Sequence, residues 1–148
     1  ELVFKRYCHI GVAVDTEEGL LVPVIRDVDR LGLKDVALRL RELADQARHG
    51  NLAAEDMRGG CCTLTNVGAI GGLSFTPIIK PPEDAIIGTG RARRVLLPAD
   101  QDDSPHARTL LPLCCCFDHR INDGADVARF VNTICELLRS PAAFLAGI

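Results

Sequence analysis

Leu110-Leu111-Pro112-Leu113-Cys114-Cys115-Cys116-Phe117-Asp118-His119-Arg120-Ile121-Asn122-Asp123-Gly124 is the stretch that decides how this chain of 148 residues is read. Leu110 to Phe117 is an apolar run, which predicts a strand buried on both faces. From Ala125 to Arg139, Val127, Val131, Ile134 and Leu138 recur at helical spacing, and Phe130 and Leu137 widen the stripe. Ser140-Pro141 ends that helix. Strand, tight turn and helix start together display one side chain, His119, between acidic neighbours and beside Arg120. A histidine has a free pKa of about 6.5, so one displayed in this way can serve as a general base near neutral pH. Asp123, four residues on, is close enough to brace the loop by hydrogen bonds, and Gly124 admits a close approach of backbone or ligand.

Working outward, Tyr7 to Val14 reads as a strand, Asp15 to Gly19 as a turn, and Leu20 to Ile25 as the returning strand, with Pro23 marking an edge or bulge. Leu33 to His49 is the clearest helix. Val36, Leu40, Leu43, Ala44 and Ala47 form one face, and Gly50 closes it as a left-handed cap. Ala53 to Met57 makes a short turn. Cys61 to Asn66 is a strand leading into the glycine loop Gly68 to Gly72. Asp84 to Gly88 and Arg91 to Leu97 read as strands, and Pro98 to Arg108 as an exposed polar loop. Strands and two helices in this order predict a single α/β domain with helices packed on a mixed sheet.

Composition narrows the function classes. The chain is 47% hydrophobic and 25% charged, with a formal net charge of -3. Its most basic run is Arg91-Ala92-Arg93-Arg94, which argues against nucleic acid or an anionic membrane as the main partner. No apolar segment approaches the roughly 20 residues that span a bilayer. The start shows no signal-peptide pattern and no initiator methionine, and reads as cut from a longer polypeptide. The seven cysteines stand singly or in adjacent clumps. That is a poor disulfide framework and lacks zinc-type spacing, so they read as reduced, packed residues in a reducing compartment.

Three further patterns bear on function. Gly88-Thr89-Gly90-Arg91 is not a dinucleotide cradle, because a β-rich segment follows it where such a cradle needs a helix. His9, His49 and His106 have no second histidine at ligand spacing, which speaks against a metal site. In Cys62-Thr63-Leu64-Thr65-Asn66, alternation puts Thr63 and Thr65 on one face. A threonine hydroxyl at a strand end, before a glycine loop, can donate a hydrogen bond to a developing oxyanion. It is also simply a residue that favours strands.

Several blocks together resemble a known family. Ile10 to Thr16 with Gly19 to Ile25, Gly59 to Gly68, Phe75 to Ile79 with Pro82 to Ile86, and Asp118-His119-Arg120 through Asp123-Gly124 are similar, in order, to the catalytic domain of the dihydrolipoamide acyltransferases. These are the core components of 2-oxo acid dehydrogenase complexes. The resemblance implies a fold like that of chloramphenicol acetyltransferase, assembled as trimers within a larger core that carries the 2-oxo acid decarboxylase and dihydrolipoamide dehydrogenase components. It implies that acyl groups pass between coenzyme A and dihydrolipoamide, whose lipoyl group is carried on a domain outside this chain, without a metal. His119 matches the general base, Thr65 the oxyanion donor, and Asp123 a position listed with the catalytic histidine, where it braces the loop rather than transfers protons. Asp15, Asn66 and Gly90 match positions lining the coenzyme A site.

The resemblance also implies that base and oxyanion donor meet across a subunit interface, in bacterial cytoplasm or mitochondrial matrix. It makes the chain roughly the C-terminal two-thirds of such a domain. Two departures stand out. Cys114, Cys115 and Cys116 replace the family's small, aliphatic and hydroxyl residues, and Asn122 replaces an aliphatic or acidic one. A non-catalytic structural core and a free O-acetyltransferase of the chloramphenicol type are the competing readings.

Overall fold

A computed structural model describes residues 2–97 and 106–142. Its centre is a mixed five-stranded sheet. Ile10–Val12 (β1), Val24–Ile25 (β4), Cys62–Asn66 (β5), Ala85–Thr89 (β6) and Leu113–Phe117 (β9) build it in the order β4-β1-β5-β6-β9. β1, β5 and β6 run parallel, while the outer strands β4 and β9 run antiparallel to their neighbours. Two hairpins stand apart from it: Val14–Thr16 (β2) with Gly19–Leu21 (β3), and Arg93–Leu97 (β7) with His106–Leu110 (β8). The two helices are Leu33–Arg48 (α1) and Gly124–Arg139 (α2).

The mixed α/β architecture is the expected one, with instructive local differences. The predicted first hairpin is divided. Val12 N–H donates to Pro23 O, and the chain then leaves the main sheet, so Asp15 lies in β2 and only Glu17 and Glu18 form the turn. Pro112 cannot donate to a ladder, and the predicted strand Leu110–Phe117 splits there into the end of β8 and the whole of β9. β9 is half-buried along its length rather than buried on both faces. The predicted polar loop Pro98–Arg108 lies outside the described residues up to position 105, and His106–Arg108 belong to β8. β6 runs one residue beyond the predicted strand Asp84–Gly88, through Thr89.

Packing is uneven. Val14, Val24, Ile25, Leu43, Ala47, Ile86 and Ile87 are the buried apolar residues, and α1 packs against β2 and β4. α1 ends as its sequence predicts, with Gly50 at φ +70°. α2 has a wide apolar stripe, yet none of its residues is buried in this chain. His9 is structural: its Nδ1 accepts the backbone N–H of Asp27 at 3.0 Å, beside the left-handed φ of 48° at Asp27.

Candidate active site

The turn after β9 is closed on itself. Asp118 O accepts the N–H groups of Ile121 and Asn122 at 3.0 and 3.1 Å. Asp118 Oδ1 accepts from the Arg120 backbone at 2.9 Å, and the guanidinium binds both carboxylate oxygens. Those hydrogen bonds hold the Asp118 carboxyl well below the usual carboxylate range, at about 2. The small loop leaves His119 exposed at its apex, with its ring centroid 5.4 Å from that of Phe117. Asp123 is the N-cap of α2, its Oδ1 accepting from Ala125 N and Asp126 N at 2.9 and 3.0 Å. It braces the helix start rather than the imidazole. A cleft of about 360 Å³ opens beside the turn, lined by Ile79, Pro81, Pro82, Glu83, Asp118, Arg120 and Ile121.

Thr65 belongs to a different place. It is half-buried in β5, opposite Gly88 of β6, which in turn faces Cys114 of β9. Phe117, three residues further along β9, pairs with Ala85 and so lies level with Cys62. Two strand spacings and three strand rises put the α-carbons of Thr65 and Phe117 about 14 Å apart, and His119 is further out still. Within one chain the register therefore separates the candidate base from the candidate oxyanion donor.

The other candidate residues fall at the Thr65 end. Asp15 is exposed in β2, just past the point where Ala13 N–H donates to Leu64 O. Asn66 ends β5, and its Oδ1 accepts the Gly68 N–H at 2.8 Å, turning the chain into the glycine loop. Gly90 is buried, and a Cβ there would run into the carbonyl of Leu73. Backbone bonds lock this end: Val67 N to Thr89 O, Gly72 N to Val67 O, Arg91 N to Gly72 O and Gly90 N to Pro112 O. Asp15, Thr65, Asn66 and Gly90 thus cluster at one end of the sheet, with His119 and Asp123 at the other.

The cysteines near the site are free. Burial, with Cys115, Glu83 and Asp84 nearby, pushes the Cys62 thiol up to about 12. Burial also raises Cys114 and Cys115 above the ordinary thiol range. Such groups stay protonated at neutral pH and make poor nucleophiles. Among the described residues no cluster of three histidine, cysteine or acidic side chains is placed to hold a metal ion.

Sequence reasoning missed Glu83 and Asp84. Glu83 is 7% exposed and accepts the hydroxyl of Thr63, itself 1% exposed, at 2.5 Å. Its other oxygen is buried and has no hydrogen-bond partner among the described residues. Asp84 accepts from Asn122 Nδ2 at 3.1 Å. The available signal was two acids directly before an apolar strand, where a carboxylate needs a partner to be buried.

A histidine displayed at a strand–turn–helix junction of a mixed sheet, with a threonine-bearing inner strand, marks an α/β domain that carries an exposed imidazole on one rim. The chain belongs to the family described as 2-oxoacid dehydrogenases acyltransferase (catalytic domain), which matches residues 1–146. It is 47% identical over 93% of its length to the dihydrolipoyllysine-residue acetyltransferase component of the pyruvate dehydrogenase complex of Pseudomonas aeruginosa. To the protein of the same name in Bacillus subtilis it is 42% identical over 98% of its length. It covers 25% and 32% of those two relatives, so the chain spans about a quarter to a third of their length.

Among solved structures, the dihydrolipoamide acetyltransferase of Azotobacter vinelandii superposes with a TM-score of 0.89 at 44% identity, covering 98% of this chain and 59% of that one. A probable dihydrolipoamide acetyltransferase of Listeria monocytogenes gives 0.82 at 33% identity, covering 90% of this chain and 56% of that one. The fold is therefore the chloramphenicol acetyltransferase-like core of this family.

Proposed function

We propose that the protein containing this chain transfers an acyl group, acetyl by analogy with the relatives' names, between coenzyme A and dihydrolipoamide. An imidazole nitrogen of His119 takes the proton of the attacking thiol, and the thiolate adds to the thioester carbonyl carbon. The Thr65 hydroxyl, contributed by a neighbouring copy, donates to the oxyanion of the tetrahedral intermediate. Collapse expels the second thiolate, which recovers the proton from the imidazolium. No acyl-enzyme forms, in keeping with the raised pKa of the nearby thiols. Asp123 fixes the helix start that carries the turn, and Asp15, Asn66 and Gly90 line the end that receives coenzyme A. The lipoyl group arrives on another domain.

The observation that carries this reading is the displayed histidine with an acid four positions on. The study of the Azotobacter vinelandii enzyme names a serine, a histidine and an asparagine in its mechanism, and there the histidine and asparagine also stand four positions apart. The separation of Thr65 from His119 supports trimers whose sites form between copies. A trimer of this kind within a larger core, carrying the decarboxylase and dihydrolipoamide dehydrogenase components, fits a relative solved as the cubic core of a pyruvate dehydrogenase complex. In the full-length protein, His119→Ala is expected to lower transfer from acetyl-coenzyme A to dihydrolipoamide by about 10²–10⁴-fold. Assembly should be intact by sedimentation. Near-normal turnover in that variant would sink the proposal.

A further inference from the structure

The closed turn Asp118–Asn122 must be fastened to something for His119 to point in a fixed direction. Among the described residues, both of its hydrogen bonds to the sheet end on one residue, Asp84. Asp118 N–H donates to Asp84 O at 2.8 Å, where β9 gives way to the turn. Asn122 Nδ2 donates to Asp84 Oδ2 at 3.1 Å, where the turn gives way to α2. The two fastenings bracket His119 on either side. Arg120 adds none, because its guanidinium is spent on Asp118 within the turn.

Asp84 is itself well held. The residue before it, Glu83, donates its N–H to Lys80 O at 2.9 Å, and its carboxylate is bound to Thr63 in β5. The residue after it, Ala85, is paired with both β5 and β9. Movement of Asp84 would therefore disturb three strands at once. The turn has few other restraints, since α2 buries no residue in this chain.

We propose that Asn122 and Asp84 form a positioning pair that sets the direction of His119. It acts through the histidine and touches no substrate, and it rests on the reading of His119 as the general base. A misplacement of about 1 Å at a reacting group costs on the order of 10²-fold in rate, so loss of one fastening should appear in turnover.

The test uses the full-length protein and four variants. Asn122→Leu and Asp84→Ala are each expected to lower kcat about 10- to 100-fold, with KM for both thiol substrates within about twofold. Asp84→Asn retains an oxygen that accepts from Asn122 and is expected to keep kcat within about threefold. Combining Asn122→Leu with Asp84→Ala is expected to cost no more than the worse single change, because both remove one contact. Full kcat in the two single variants, or losses that multiply, would overturn the pair. If Asp84→Ala fails to assemble, Asn122→Leu alone carries the kinetic test.

A readout independent of catalysis separates this proposal from the function it rests on. Hydrogen exchange followed by mass spectrometry is expected to quicken about tenfold or more across 118–123 in Asn122→Leu, with α1 unchanged. Unchanged exchange there would reject the pair even if His119→Ala is inactive. Quickened exchange with a fully active His119→Ala would uphold the fastening and reject the base.

Discussion

The two ends of the central sheet are built on different principles. At the Thr65 end, main-chain bonds stitch together the strand ends and the glycine loop, and Gly68 and Gly90 leave no room for side chains. At the His119 end, a small turn stands in solvent and is held largely by carboxylates: Asp84, Asp118 and Asp123. The first arrangement gives a rigid wall suited to a fixed hydrogen-bond donor. The second presents a single titratable side chain whose direction depends on a few polar contacts. If Thr65 and His119 serve one site, as proposed, their separation of about 14 Å or more along the register means that two copies complete it.

The largest expected effect tests that division directly. Thr65→Val should lower transfer by about 10²–10³-fold, as loss of one oxyanion donor does. If Thr65 and His119 of different copies form each site, mixed trimers of Thr65→Val and His119→Ala chains regain activity. Random mixing in equal amounts leaves about one site in four with both wild-type residues, so roughly a quarter of wild-type turnover should return. Mixing that restores nothing would place both residues in the same copy's site and break the comparison between the two ends.

Next in size is the cost of disturbing the main-chain end. Gly90→Ala would drive a methyl group into the Leu73 carbonyl, a backbone atom with no rotamer to escape through. Overpacking of this sort costs about 1–3 kcal/mol, to be read from denaturant unfolding of the full-length protein. Gly50→Ala meets no neighbouring atom and serves as the contrast, its cost arising from the positive φ alone.

These contrasts also show what the sequence could tell. Helical spacing and the glycine cap located α1 to within a residue, because an amphipathic stripe and a positive φ leave direct marks in residue type. The displayed position of His119 was legible for the same reason: an apolar run, a polar turn and a helix start follow one another locally, though in sequence Asp123 reads as a brace of the loop and not as the helix cap that it is. The separation of His119 from Thr65 was not legible, since it depends on β6 lying between β5 and β9 and on the antiparallel direction of β9. Nor was the division of β8 from β9, because the apolar run Leu110–Phe117 hides a break at Pro112. Glu83 escaped notice because nothing in the pattern of a surface-type residue announces that its carboxylate will meet a buried Thr63 hydroxyl.

At the side-chain-held end the expected changes are smaller. Asp123→Ala removes the acceptor for Ala125 N and Asp126 N and should cost about 1 kcal/mol, the usual value of an N-cap. Amide exchange should quicken in the first turn of α2 and leave α1 untouched. Asp123→Asn or Asp123→Ser retains a capping oxygen and should recover most of the loss. A loss in Asp123→Ala well above 2 kcal/mol would mean that the aspartate holds more than the helix start.

The smallest effect concerns acid. Hydrogen bonds from Arg120 hold Asp118 at about 2 in the folded protein, against about 3.9 for a free aspartate. A carboxyl depressed on folding stabilises the folded form fully above its unfolded pKa, and that contribution fades as the pH falls through its folded pKa. The Asp118–Arg120 pair is therefore intact throughout the range in which histidines titrate and weakens only between about pH 4 and pH 2. A rate change between about pH 5 and 8 does not originate in this pair. Arg120→Gln should move the Asp118 titration upward toward the ordinary aspartate range, which carboxyl-detected NMR of carbon-labelled protein would report. Arg120 is exposed and Asp118 half-buried, so solvent screens the pair and the accompanying change in unfolding stability at neutral pH should be close to zero. A substantial loss there would show that the turn leans on Arg120 as heavily as the Thr65 end leans on its main chain.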